Sequence, residues 1–321
     1  MPLAPRSTRL GFALAVALAA AFASSRLEAG TAPADPAADG SYLVVTAPLS
    51  FTNPDGARID FDVLLPAGPS FARPTLLFIH GWSAEGIDYS WLTNHLASRG
   101  FAVAVYNNES TYQFDPEVWA NQAIATIDEL ARADGDPASP VFGQLDMGRL
   151  GVIGHSYGGA TTLITAARDP RVKAAVALEP GTQASYHATV LGRAAQVTIP
   201  VQVQGGEYDQ VVPAWHWARP AFDRIPSGDR LYVEIARADH LNYGDLDFTP
   251  FQLLSYGSIP LAAYSPFTPP LHSWQLHPIA SRYATSWLER HLLGTPDPVG
   301  WTNGTQAGRD FSGGTLSDTS R

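Results

Sequence analysis

Gly151–Thr162 reads GVIGHSYGGATT, with Ser156 set between Gly154 and Gly158. The apolar run Leu150–Ile153 before it predicts a short buried strand, and Tyr157–Arg168 after it carries the pattern of a helix. A strand that runs into a helix through G-x-S-x-G makes a tight, strained turn with the serine at its tip. A side chain at either flanking position would collide with the neighbouring strand or helix, so glycine is required there, and Gly159 relaxes the packing further. The turn leaves the hydroxyl exposed above a helix N-terminus, which favours negative charge developing beside it. The plainer reading of the same letters is a glycine-rich turn with a capping serine, but the strand–turn–helix context favours a nucleophile. His155 adjoins Ser156 and is expected to point away from it across the turn, as a packing residue.

Around this stretch the chain alternates buried strands with helices. Val172–Leu178 and Val201–Gln204 read as buried strands, and Pro74–His80 (PTLLFIH) and Phe101–Tyr106 (FAVAVY) are continuous apolar runs. Such runs fit strands covered on both faces. Tyr42–Ala47, Ile59–Leu65 and Leu231–Ile235 are further strands. Asp88–Arg99, Pro116–Ala133, Ala214–Asp223 and Ile279–Leu293 read as helices, with Trp119, Ala123, Ile127 and Leu130 at helical spacing. The expected fold is α/β, a mostly parallel central sheet with helices on both faces. One domain is expected over residues 41–294. Phe248–Trp274, aromatic and rich in proline, reads as an irregular insertion near the site. Residues 295–321 read as a loose tail, and residues 30–40 as a flexible leader.

Composition narrows the classes. The chain has 321 residues, 45% of them apolar, and a formal net charge of -10. That balance suits a folded domain and gives no basic surface for nucleic acid or an anionic membrane. There is no cysteine, so disulfides, thiol catalysis and thiolate metal sites are excluded. At the N-terminus Arg6 and Arg9 precede the apolar run Leu10–Ala23, and Ala21-Phe22-Ala23 fits a small-x-small cleavage site, with a cut near Ala29 as second choice. Residues 1–29 therefore read as a secretory signal, too short for a normal span, and the mature protein is expected to be secreted or periplasmic without a stable membrane anchor.

A serine hydroxyl needs a base to take its proton. On such an elbow the acid and then the histidine follow the serine in chain order. VQVQGGEYDQVVP supplies Asp209 beyond the strand Val201–Gln204, and LYVEIARADHLNYGD supplies His240. Asp209 would hold the imidazole tautomer and stabilise its cation. Glu207 and Glu179, the latter at the end of an earlier strand, are rival acids. His272 and His277 are rival bases. Asp239 reads as a solvated loop residue and His187 as a surface histidine. Backbone donors for an oxyanion are expected from Tyr157, directly after the serine, and from Trp82 in HGWSAEG, whose ring could also floor an apolar pocket.

These residues resemble the α/β-hydrolase superfamily, and within it the bacterial cutinase and polyester hydrolase group with the related platelet-activating-factor acetylhydrolase and chlorophyllase-like esterases. HGWSAEG…WLTNHLASRGFAVAVYNN, SPVFGQLDMGRLGVIGHSYGGATTLITAARDPRVKAAVALEP, GGEYDQVVP and ARADHLNYGD carry the resemblance, which covers roughly 74–245 and, more weakly, 279–293. It implies Ser156 as nucleophile, Asp209 as acid, His240 as base and Trp82 and Tyr157 as oxyanion donors. The chain departs from the group in four ways. Tyr157 stands where methionine follows the serine, and Gly181 stands where the group has tryptophan. The C-terminal disulfide is absent, and the link from His240 to the last helix is longer. These departures bear on polymer cleavage more than on ester cleavage.

The resulting expectation is a secreted serine ester hydrolase that works through an acyl-enzyme on a small or polymeric ester, with no metal and no organic cofactor. A peptidase or amidase on the same fold, or a catalytically silent binding protein, are the alternatives. Asp245 and Asp247 are two carboxylates without the loop framework of a calcium site. Asn108-Glu109-Ser110 and Asn303-Gly304-Thr305 match glycosylation acceptors, which matter only in a eukaryotic source.

Overall fold

The computed structural model describes residues 35–53, 56, 58–68, 71–106, 114–244 and 270–321. The expected signal segment, Asn108-Glu109-Ser110, Asp245, Asp247 and most of Phe248–Trp274 lie outside the described residues. Nine described strands form one sheet: β1 (Val44–Thr52), β2 (Arg58–Pro66), β3 (Arg73–Ile79), β4 (Ala102–Tyr106), β5 (Leu145–His155), β6 (Val172–Leu178), β7 (Val201–Gly206), β8 (Arg230–Ile235) and β9 (Leu316–Ser320). Their order is β1-β2-β4-β3-β5-β6-β7-β8-β9. The strands from β4 to β8 run parallel. β1, β2 and β9 pair antiparallel toward the two edges.

Seven described α-helices accompany the sheet: α1 (Ser90–Ser98), α2 (Pro116–Asp134), α3 (Tyr157–Arg168), α4 (His187–Ala194), α5 (Ala218–Arg224), α6 (Ser273–Leu288) and α7 (Thr305–Ser312). β3 shows why helices cover both faces. Its side chains alternate between two cores, Leu77 and Ile79 into one and Leu76 and Phe78 into the other. The first core holds Trp119 and Leu130 of α2, Leu163 of α3, Leu191 of α4 and Phe222 of α5. The second holds Leu92 and Leu96 of α1 and Leu276, Tyr283 and Trp287 of α6. This is the α/β-hydrolase architecture, with the parallel strands delivering their C-terminal ends, and the loops after them, to one edge. No described helix is long and apolar enough to cross a membrane.

Local chemistry explains the element limits. Asp115 caps α2, its side chain accepting from the Glu117 N–H at 2.9 Å, and Pro116 occupies the first turn, where its missing N–H costs nothing. α6 starts at Ser273, not near Ile279 as the pattern suggests. His272 and Gln275 form a capping box that sets its first turn, and the helix then continues through Pro278. α4 has no counterpart in the sequence reading, because only Val190, Leu191 and Ala194 of its eight residues are buried.

Two expectations at the chain ends are corrected. Asp35–Gly40, expected as part of a flexible leader, is tied to the domain. Asp35 pairs with Arg282 at 3.0 Å, and the Arg99 guanidinium donates to the Ala38 carbonyl at 2.7 Å. Residues 295–321 are not a loose tail. They build α7 and β9, and β9 pairs with the edge of β8 while burying Ala307 and Leu316. A strand of composition LSDTS, with one buried apolar residue, carries almost no periodic signal.

Candidate active site

β5 ends at His155, and Ser156 turns the chain into α3. Ser156 has φ 58° and ψ -120°, a sparsely populated conformation for any side-chain-bearing residue. The turn closes tightly. A Cβ on Gly154 would lie 2.5 Å from the Gly158 carbonyl oxygen, and one on Gly158 would lie 2.0 Å from that of Ile79. Ser156 occupies the N-cap position of α3 yet makes no capping hydrogen bond with its side chain. Its hydroxyl points elsewhere, 2.9 Å from Nε2 of His240.

His240 is delivered by the loop after β8 and Asp209 by the loop after β7. Nδ1 of His240 stands 2.8 Å from Oδ2 of Asp209. Oδ1 of Asp209 accepts from the backbone N–H groups of Val211 and Val212, each at 2.8 Å, so the carboxylate is fixed from both sides. The turn that carries His240 is itself braced. Asp239 accepts from the Leu241 N–H at 3.0 Å, and the Trp91 indole donates to the Tyr243 carbonyl at 2.8 Å. Asp239 is buried, not the solvated residue expected. Ser156, Asp209 and His240, far apart in sequence, thus form one continuous hydrogen-bonded line.

The rivals fall into other roles. Glu207 is exposed, and its carboxylate accepts from the Arg237 N–H. His272 caps α6. His277 stacks on Trp91 with ring centroids 3.9 Å apart and faces the Asn242 carbonyl at 3.0 Å, which supports the His240 turn from behind. His187 is half-buried, not on the surface, and stacks on His216. His155 is a buried packing residue beside the base. Its ring packs 4.6 Å from that of His240 and stacks on Tyr243. Its Nδ1 lies 2.9 Å from the Tyr89 hydroxyl, which accepts from the Gly81 N–H. Glu179 also reaches the site, with Oε2 3.0 Å from Nδ1 of His240. Sequence reasoning ranks Glu179 as an alternative to Asp209, whereas the structure brings both to one nitrogen.

Ser156 and His240 open on a cavity of about 400 Å³, whose walls include Trp82, Tyr157, Thr182, Val212 and Leu241. Tyr157 is the first residue of α3, so its N–H is one of those that a helix leaves without an intrahelical partner. Its hydroxyl donates to the Phe114 carbonyl at 3.2 Å and accepts from the Gln183 N–H at 3.2 Å. Trp82 leans its ring on Phe114, centroids 5.6 Å apart. Gly181, a position of departure in the sequence, faces Val212. A Cβ there would come within 2.5 Å of Val212, so an aromatic side chain has no room.

Burial opposes a charged imidazole at His240, and the Asp209 carboxylate beside it more than reverses that, so its affinity for a proton is raised above that of free histidine. His155 is held neutral, first by burial and then by the charge of His240. Burial, and then the Asp209 charge, pushes Glu179 well above the carboxylate range.

The PET hydrolase-like family model matches residues 21–250, more than half of the chain. A cutinase from Thermobifida alba, est2, is 32% identical over 161 residues, which cover 50% of this chain and 50% of that one. A bis(hydroxyethyl) terephthalate hydrolase from Streptomyces coelicolor is 34% identical over 164 residues, 50% of this chain and 48% of its own. Cutinase 2 from Thermobifida cellulosilytica is 30% identical over 161 residues, 50% and 57%. The chain spans about half the length of the curated relatives it matches.

Proposed function

Because the chain belongs to the PET hydrolase-like family, we propose that it hydrolyses carboxylic esters, with Ser156 as nucleophile, His240 as general base and Asp209 as the acid that orients it. The Ser156 oxygen attacks the ester carbonyl carbon while its proton passes to Nε2 of His240. The negative charge that moves onto the carbonyl oxygen is met by the backbone N–H groups of Trp82 and Tyr157. Collapse of this adduct breaks the carbon–oxygen bond to the alcohol, which leaves with the proton from His240. Water then attacks the acyl-enzyme by the same route, returning the serine and releasing the acid. No metal or organic cofactor takes part in this sequence.

The hydrogen-bonded line from Ser156 through His240 to Asp209, opening on the cavity beside Trp82 and Tyr157, is the observation that carries the reading. The mostly apolar walls suit an acyl or aromatic group, and the substrate class extends from small esters to polyesters. The N-terminal apolar run Leu10–Ala23 supports export to the periplasm or beyond. A fluorophosphonate probe tests the chemistry directly. One covalent adduct per chain, mapped to Ser156, is the expected result. An unlabelled protein would mark a silent binding protein built on the same fold.

The environment of His240 also sets a pH dependence. The base must be neutral to accept the serine proton, and its proton affinity is raised by the neighbouring Asp209 carboxylate. The acid limb of kcat/KM is therefore expected to have its midpoint above the ~6.5 of free histidine, with activity increasing toward alkaline pH. A pH profile with a soluble p-nitrophenyl ester measures it, and a midpoint below that value would contradict the assignment of His240 as base.

A further inference from the structure

His240 Nδ1 meets two carboxyls, and a triad uses only one. Asp209 is aligned for a hydrogen bond with it at 2.8 Å. Glu179 Oε2 lies 3.0 Å from the same nitrogen without that alignment, and neither Glu179 oxygen has another hydrogen-bond partner. The side chain is fully buried, and orphaned buried carboxyls are rare because they cost free energy. Three features of the chain keep it there. Glu179 directly follows β6 with φ 41°, a left-handed conformation that only a strong local constraint makes a glutamate adopt. The chain has glycine at position 206, where a Cβ would stand 2.0 Å from Glu179 Oε1. His155 Nε2, itself unpaired, lies 3.6 Å from Glu179 Oε2.

His155, Glu179 and His240 bring ligand-type atoms within 4.8 Å of one another, but both ring nitrogens of His240 are already engaged, Nε2 by Ser156 and Nδ1 by Asp209.

We propose that Glu179 is a positioning residue for His240, a second carboxyl that shares the imidazole Nδ1 with Asp209 and takes over its role when Asp209 is removed. The proposal rests on the ester hydrolase reading above. The charged and titratable groups around Glu179 are His155 at the end of β5, Asp209 after β7, and Asp239, His240 and Tyr243 after β8. No described arginine or lysine is among them. With Asp209 present, two like charges would crowd one buried nitrogen, so Glu179 keeps its proton and Asp209 carries the charge. With Asp209 made neutral, that repulsion disappears. Glu179 then releases its proton at lower pH, and its carboxylate can accept the Nδ1 hydrogen bond. The only changes are a proton lost to water and a hydrogen bond moved by one partner.

The experiment is a kcat/KM profile against pH for wild type, Glu179→Gln, Asp209→Asn and the double variant, with a p-nitrophenyl ester. Asp209→Asn alone is expected to fall by less than the ~10⁴ that a triad with a single acid loses on the same change. Its remaining activity is expected to increase with pH as Glu179 ionises. The double variant is expected to lie about tenfold or more below Asp209→Asn, although Glu179→Gln alone changes wild-type activity by only a few-fold, a coupling that distant independent sites do not show. Two results overturn the proposal: superimposable profiles of Asp209→Asn and the double variant, or the same loss from Glu179→Gln in both backgrounds, the mark of a merely structural side chain. Should the double variant fail to fold, the low-field proton resonance of the His240 Nδ1–H in Asp209→Asn decides. It is expected to move downfield as pH rises, and its absence at every pH overturns the proposal. Fluorophosphonate labelling of the wild type separates the two levels. A labelled wild type with superimposable profiles removes Glu179 alone, whereas an unlabelled wild type removes the ester hydrolase reading.

Discussion

Ser156→Ala is expected to lower kcat on p-nitrophenyl esters by on the order of a million-fold, with the folded structure kept. The loss is that large because every covalent step passes through one oxygen. With Oγ gone, the His240–Asp209 pair has no nucleophile to activate, and the oxyanion donors stabilise charge on a carbonyl that only water can attack. The fold tolerates the change for reasons visible at the turn. The hydroxyl makes no capping bond to α3, so no helix contact is lost. Alanine meets the same strain at φ 58° that serine already bears. Steady-state kinetics with thermal unfolding on the same sample check both halves. Turnover at the wild-type rate would remove Ser156 from the chemistry, and a large fall in Tm would mean that the hydroxyl is structural.

What the sequence makes legible here follows from how much each element says locally. β3, β4 and β6 read clearly because strands buried on both faces are mainly apolar, whereas β7 carries Gln202 and Gln204 into the core, where their amides donate to the Tyr283 and Ala280 carbonyls. Ser156 reads clearly because a strained turn with three close backbone approaches can be made by few residues other than glycine. Chain order and strand ends point to Asp209 and His240 but leave Glu207, Glu179, His272 and His277 as rivals, which only the spatial arrangement separates. The features that stay hidden depend on contacts between distant segments. Leu316 is the single apolar anchor of β9, and its value appears only beside the open edge of β8. His155 has a place in sequence but no direction until Tyr89 and Tyr243 enclose its ring. Glu179 is visible as an acid at a strand end, yet its meeting with Asp209 at one nitrogen depends on the bare backbone of Gly206 on the next strand.

Gly158→Ala is expected to be the most destabilising single methyl that can be added to the elbow, costing more than about 4 kcal/mol. The added carbon would stand 2.0 Å from the Ile79 carbonyl oxygen and 2.6 Å from that of His80. Both atoms belong to main chain, so no rotamer change relieves the clash. α3 would have to move away from the end of β3. That displacement carries Ser156 away from His240 and shifts the loop of Trp82, so activity should fall together with stability. Gly192→Ala makes the same chemical change where nothing lies within 4 Å of the new carbon. Gly192 is exposed within α4, and alanine there should stabilise the protein by about 1 kcal/mol through helix propensity. Thermal unfolding should therefore move the two variants in opposite directions, with Gly158→Ala falling by about 10 °C or more or failing to fold. A Gly158→Ala protein with unchanged Tm and activity would mean that β3 and α3 are not in backbone contact, and the strained serine turn would then lose its cause.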